Sequence, residues 1–135
     1  MINPIFAVIL VALGGGVGAA TRYGIIELLS RHPESQTKVP FPFGTIIVNL
    51  LGSFLIGVIT GLVAGAQAMN GELWRLLLAT GFCGGFTTFS TATVDFVTLQ
   101  RAGQQRKALL SAAANLVLSL VAVGLGLLVS SVLNG

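Results

Sequence analysis

Thr45 and Asn49 stand one helical turn apart inside the apolar run GTIIVNLLG, and Asn115 and Ser119 repeat that spacing in a second apolar run further along the chain. Residues four apart share one face of a helix, so each pair offers a short column of hydroxyl and carboxamide groups. A carboxamide facing hydrocarbon is costly. Each column therefore faces either a neighbouring helix, as interhelical glue, or a water-filled path where it can hydrogen-bond a solute. Arg22 places a guanidinium inside a third apolar run. Such a cation lines an interior, meets an anion, or snorkels to the headgroups from near its helix end.

The densest polar set is GFCGGFTTFSTATVDF, Gly81 to Phe96, in the middle of a fourth apolar run. Gly84-Gly85 weakens a helix at that point. Thr87, Thr88, Ser90, Thr91 and Thr93 can bond to backbone carbonyls or to one another, which makes a break near the bilayer centre tolerable. A break at Gly84-Gly85 frees carbonyls that can hold a cation and creates a half-helix N-terminus that favours an anion. Phe82, Phe86 and Phe89 follow helical spacing, an ordinary packing stripe on an unbroken helix. Beyond a break Phe89 is re-aimed, and the electropositive edge of its ring can touch an anion.

Nothing resembles a catalytic constellation. There is no Ser/His/Asp or Cys/His set and no P-loop, and the acids Glu27, Glu34, Glu72 and Asp95 are scattered. The chain is not read as an enzyme. Cys83 has no second cysteine to pair with and reads as a small buried hydrophobe, while His32 reads as a solvated loop residue.

These residues are carried by a chain that is 54% hydrophobic and 8% charged, with a mean hydropathy of +0.94. That composition belongs to a membrane protein. Four apolar stretches, roughly Pro4 to Leu29, Thr45 to Ala68, Leu73 to Leu99 and Ala108 to Leu133, each reach the ~20 residues needed to cross a bilayer. The expected architecture is a single all-α domain, residues 1–135, of four transmembrane helices with the third broken at its centre. The start MINPIF lacks the basic segment of a signal peptide, so the first stretch is kept as a span.

Ser53, Gly57, Gly61 and Gly65 form a small-residue ridge on the second span, suited to close helix packing within one subunit or across a dimer seam. The net charge of +3 does not point to nucleic acid, because the basic residues do not cluster on one face. With four spans, Arg31, Lys38, Arg101, Arg106 and Lys107 share one side and Arg75 lies on the other. The positive-inside rule then turns both termini away from the cytoplasm.

GGGVGAATRYG, GTIIVNLLGSFLIG and GFCGGFTTFSTATVDF, in this order within four spans, resemble the Fluc family of bacterial fluoride channels across nearly the whole chain. The resemblance implies an antiparallel dimer in the cytoplasmic membrane that exports fluoride passively through two pores and confers fluoride resistance. It implies a structural sodium ion at the dimer centre, held by backbone carbonyls that fall here on Gly84 and Thr87. The implied fluoride route passes Asn49, then Phe89, and a polar track of Thr45, Ser90, Thr91, Asn115 and Ser119. Arg22 matches the family's first-helix arginine near the vestibule, and Asp95 an acidic position after the break.

One position departs from the family pattern. Where FSTF is expected the chain reads FSTA, so Ala92 replaces a second phenylalanine. In the family each pore draws one of the two rings from each subunit, so a homodimer of this chain lacks a ring in both pores. Together with the unbalanced loop charges this suggests a heterodimer with a paralogous subunit of opposite charge bias.

Two other readings compete. A small multidrug or proton-coupled exporter also has four short helices, but needs a membrane-embedded carboxylate, and neither Glu27 nor Asp95 is well placed. A non-transporting assembly subunit would use the glycine ridge only as an interface, which leaves the intramembrane polar row without a purpose.

Overall fold

The computed structural model describes residues 2–31, 39–64 and 69–135, and no strand occurs among them. Helix α1 spans Pro4–Ser30, α2 Phe43–Ala64 and α3 Met69–Trp74, which runs on into a π-helical segment, Arg75–Cys83. Then come α4, Gly84–Phe86, α5, Phe89–Arg101, and α6, Gln105–Asn134. His32, Glu34, Lys38, Gly65 and Ala68 lie outside the described residues.

Three helices, α1, α2 and α6, are long and apolar enough to cross a membrane. Their outer faces carry exposed large side chains such as Leu13, Val17, Leu120 and Val132. An apolar exterior is what a chain solvated by lipid presents, and with the family assignment below it marks a multi-pass membrane protein.

Local chemistry sets the helix ends. The Asn3 side chain accepts from the Ile5 N–H at 2.9 Å with Pro4 in the first helical turn, which caps α1. At the far end of α5, Gly103 takes a left-handed φ of 75°. Its N–H bonds to the Gln100 carbonyl at 3.0 Å and the Gln104 N–H to the Leu99 carbonyl at 2.9 Å. Both bonds close the helix, and glycine takes that left-handed conformation without steric cost.

Small residues decide the packing. The seam between α2 and α6 is built from Gly57, set against the Val123 carbonyl and Gly126, and from Gly61, set against the Ser130 side chain. Asn134 Nδ2 donates to the Gly61 carbonyl at 3.0 Å across the same seam. The described glycines of the ridge thus pack within one subunit, which settles the choice between that packing and a dimer seam for Gly57 and Gly61. Close backbone approach is how helices gain van der Waals contact in lipid, where no hydrophobic drive separates lipid from side chain.

The first glycine cluster does the same work against the apolar run from Leu73 to Leu99. Gly14 and Gly18 are buried, and a Cβ at either would strike backbone: the Leu77 carbonyl for Gly14, the Phe82 carbonyl for Gly18. Gly85 meets the Gly15 carbonyl in the same way. Gly18→Ala is expected to lower stability by about 1–3 kcal/mol through overpacking against rigid backbone. The readout is thermal unfolding in detergent, with Gly24→Ala, where nothing lies within 4 Å of an added Cβ, as the neutral control.

The structure moves the break. Gly84 and Gly85 are helical, and the chain becomes extended only at Thr87 (φ −79°, ψ 158°) and Thr88 (φ −150°, ψ 121°). Glycine lowers helix propensity by about 1 kcal/mol, which tertiary contact outweighs. Here the Gly85 contact with Gly15 supplies that contact, and the interruption falls where side chains from other helices compete for the backbone.

Candidate functional site

Asn49, buried on α2, faces the two extended residues. The Thr88 N–H donates to Asn49 Oδ1 at 2.8 Å, and Asn49 Nδ2 donates to the Thr88 carbonyl at 3.0 Å. The carboxamide thus pairs with Thr88 as a neighbouring strand would, and so satisfies backbone groups that a helix break leaves without partners. In an unbroken helix the Thr88 N–H would bond to the Gly84 carbonyl. Its diversion to Asn49 releases that carbonyl.

The column extends in both directions from Asn49. Its Nδ2 also donates to Asn115 Oδ1 at 2.8 Å, and Asn115 Nδ2 donates to the Ser111 carbonyl at 3.1 Å. One turn before Asn49, the Thr45 hydroxyl donates to Asp95 Oδ2 at 2.7 Å. Thr88 caps α5 by accepting from the Thr91 N–H at 3.2 Å. Its hydroxyl also reaches the Thr91 hydroxyl at 3.1 Å and that of Ser90 at 3.3 Å. Thr87 Oγ1 returns a bond to the Cys83 carbonyl at 2.9 Å.

Two hollows flank this column. A cavity of about 870 Å³ is lined by Thr45, Thr91, Asp95 and Lys107, beneath the Pro40–Phe43 turn. A groove of about 610 Å³ on the other side is lined by Asn49, Thr88, Phe89, Ala92, Asn115 and Ser119. Thr45 on one side and Asn49 on the other make the α2 column the polar wall between them.

Phe82 and Phe86 stack on each other with ring centroids 5.5 Å apart, and Phe86 is buried. Phe89, beyond the extended pair, is 87% exposed at the groove. The helical stripe is split, so Phe89 leaves the packed pair and presents its ring outward.

Of the residues singled out in the sequence, Thr45, Asn49, Phe89, Ser90, Thr91, Asn115 and Ser119 are brought together on α2, α5 and α6. Arg22 lines neither hollow: its Nη1 reaches the Thr87 carbonyl from α1 at 3.2 Å. Gly84, exposed, and Thr87 lie on the groove wall, with the Gly84 carbonyl released as described and the Thr87 carbonyl holding Arg22.

Sequence reasoning left two residues out of the site. Thr88 is its centre, yet a run of hydroxyl residues does not reveal which one turns extended. Ser111 is fully buried, and among the described residues its hydroxyl has no partner. It sits one turn before Asn115, so the four-residue spacing that selected Asn115 and Ser119 would also have selected it.

Residues 9–127 match the family described as CrcB-like protein, Camphor Resistance (CrcB). The chain belongs to the CrcB family. Among its relatives, the fluoride-specific ion channel FluC 3 of Bifidobacterium longum is 45% identical over 129 residues, which cover 93% of this chain and 98% of that protein. FluC 1 of Leifsonia xyli subsp. xyli is 43% identical over 120 residues, 89% of this chain and 83% of that one. FluC of Pyrococcus horikoshii is 40% identical over 121 residues, 90% and 93% respectively. The family resemblance read from the three motifs is thereby borne out, and so is the absence of an enzyme's role.

In this CrcB-family chain the site offers donors, hydroxyls and carboxamides, beside an aromatic ring. That set can solvate an anion by hydrogen bonds and ring-edge contact; no charged side chain is among the described residues that line the groove beside Phe89, whereas Asp95 and Lys107 line the other hollow.

Proposed function

We propose that the chain is a fluoride-selective channel, through which fluoride leaves the cell passively. The observation that carries this reading is membership of a family whose relatives, 40–45% identical over most of the chain, are named fluoride-specific ion channels. The geometry supports it: a polar wall of Thr45, Asn49 and Asn115 runs between two hollows in a chain whose exterior is apolar.

In this reading α3, the π-helical segment, α4 and α5 together make the third of four crossings, interrupted at Thr87-Thr88. The subunit works as an antiparallel dimer. The groove beside Phe89 and Ala92 faces the second subunit, which is this chain again or a paralogue of opposite charge bias.

A sodium ion at the dimer centre is part of the same proposal. The carbonyl oxygens of Gly84 and Thr87 suit a hard cation in donor type. The Gly84 carbonyl has lost its helical amide to Asn49, and a carbonyl has two lone pairs, so Thr87 can hold Arg22 and a cation together. The ion would supply fixed positive charge that ties two subunits at their breaks. Purification in choline in place of sodium should lower the dimer fraction seen by size-exclusion chromatography; an unchanged fraction removes the ion from the account.

The function is tested in liposomes loaded with fluoride or chloride, with a potassium ionophore to carry the countercharge. The wild type and a chain with the second ring restored, Ala92→Phe, are both assayed. Fluoride should leave while chloride stays, at a rate indifferent to a proton uncoupler. Silence from both chains ends the channel reading, and flux that depends on a proton gradient transfers it to a coupled exporter.

A further inference from the structure

We infer that α1 sets the register of the break, with Gly18 and Arg22 as positioning residues, and that the π-helical segment takes up one surplus residue upstream so that this register is kept. Only the flux measurement in its test rests on the fluoride reading above.

From Gly81 onward the two backbones advance in step. An added Cβ at Gly81 would lie 3.0 Å from the Val11 carbonyl oxygen, and one at Gly85 would strike the Gly15 carbonyl. Val11 and Gly15 are four residues apart, as are Gly81 and Gly85. On the adjoining face Gly18 lies against the Phe82 carbonyl, with the Phe86 nitrogen 2.9 Å from an added Cβ. Arg22, four residues further along α1, donates to the Thr87 carbonyl at 3.2 Å. The glycines bring backbone against backbone, so neither chain slides along the other without a clash.

Upstream the step changes. Gly14 lies against both the Leu77 carbonyl and the Phe82 nitrogen. These are five residues apart, the pair that a π turn joins, whereas the Phe82 carbonyl and Phe86 nitrogen beside Gly18 are the four-residue pair of an α turn. One residue more than an α turn holds therefore fits between Leu77 and Phe82, inside Arg75–Cys83. In a wholly α-helical segment with α3 held in place, that residue would push Thr87-Thr88 along by about 1.5 Å and round by about 100°. The two bonds of Thr88 to Asn49, at 2.8 and 3.0 Å, would not survive the move.

The test uses the full chain in detergent micelles with carbonyl-¹³C and amide-¹⁵N labels on threonine. Thr87-Thr88 is the only adjacent threonine pair in the sequence, so a single carbonyl–amide correlation reports the carbonyl held by Arg22 and the amide held by Asn49. Thr80 is exposed and lies in the π-helical segment. Its deletion should return that segment to α-helix, leave the correlation where it stands in the wild type, and leave fluoride flux intact in whichever of the wild-type and Ala92→Phe backgrounds conducts. Gly18→Ala should move the correlation, although the atoms nearest its added Cβ belong to Phe82 and Phe86, and Gly24→Ala should not. Arg22→Lys, which keeps a donor, should hold correlation and flux nearer the wild type than Arg22→Leu.

A chain that unfolds on loss of Thr80, a correlation that moves in it, or one that stays in place in Gly18→Ala overturns the inference and leaves the channel reading intact. The expected correlations without flux from either the wild type or Ala92→Phe overturn the channel reading and leave the inference standing.

Discussion

Asn49→Ala should reduce fluoride flux at least tenfold and lower the thermal stability of the subunit, the largest combined loss expected of any single substitution in the site. The Thr88 N–H and carbonyl both rely on this one side chain, at 2.8 and 3.0 Å, in a residue only 8% exposed. Each buried backbone group left without a partner costs about 1–3 kcal/mol, so the pair would cost roughly 2–6 kcal/mol. The chain has one way to avoid that cost. It can continue the helix through Thr87 and Thr88, so that the Thr88 N–H returns to the Gly84 carbonyl. Phe89 would then rotate back toward the stripe of Phe82 and Phe86 and leave the groove.

Asn49→Asp tests the donor half of the pair. A carboxylate still accepts from the Thr88 N–H, but its second oxygen faces two other acceptors, the Thr88 carbonyl and Asn115 Oδ1, in a buried site, so stability should fall at least as far as in the alanine variant. Flux should fall in both. The measurements are fluoride efflux from liposomes and unfolding temperature in detergent, made in whichever of the wild-type and Ala92→Phe backgrounds conducts. Wild-type efflux from Asn49→Ala would sink the view that this side chain holds the break.

The difference between Asn49 and the glycine pair also marks what the residues alone reveal. Spacing identified Thr45, Asn49, Asn115 and Ser119, because one helical turn is a local rule and the apolar surroundings make each polar group conspicuous. The extent of α1, α2 and α6 was legible for the same reason: long apolar runs have few ways to satisfy their backbone in lipid. The expected spans begin and end within a few residues of these helices where the residues are described.

The location of the break was not legible. Gly84-Gly85 has the lowest helix propensity in its stretch, and local reasoning stops there. The structure places the interruption at Thr87-Thr88 because the partner that replaces the helical bonds, Asn49, comes from another helix 39 residues away in sequence. The π-helical stretch Arg75–Cys83 escaped notice for a related reason. It lies against the glycines of α1, and no residue type announces it. Arg22 was placed near a vestibule by resemblance. It donates to the Thr87 carbonyl, where a cation also complements the carbonyl end of the preceding helical segment.

Ala92→Phe should convert a chain that conducts poorly by itself into one that conducts well, with a rise in fluoride efflux of at least tenfold. Ala92 lies three residues after Phe89 on α5, so the two side chains share a helix face. Both line the groove of about 610 Å³. Alanine contributes a single methyl group there, whereas a phenylalanine buries 150–250 Å² and brings a second electropositive ring edge. If the groove closes against a second subunit, a ring missing from this chain is missing from every pore of a homodimer. A partner that carries its own ring at this position restores one pore.

The loop charges favour such a partner: in the four-crossing arrangement proposed above, Arg31, Lys38, Arg101, Arg106 and Lys107 would share one side and bias the chain toward one orientation. A single-orientation chain cannot readily make an antiparallel pair with itself. The experiment therefore needs two arms: reconstitution from detergent, which inserts the purified chain without the cell's orientation bias, and fluoride resistance in cells, which does not. Substitution should restore efflux in liposomes and leave resistance in cells low until a subunit of opposite charge bias is supplied. Brisk efflux from the unsubstituted chain in liposomes would sink the need for the second ring, and resistance conferred in cells by the chain alone would sink the need for a partner.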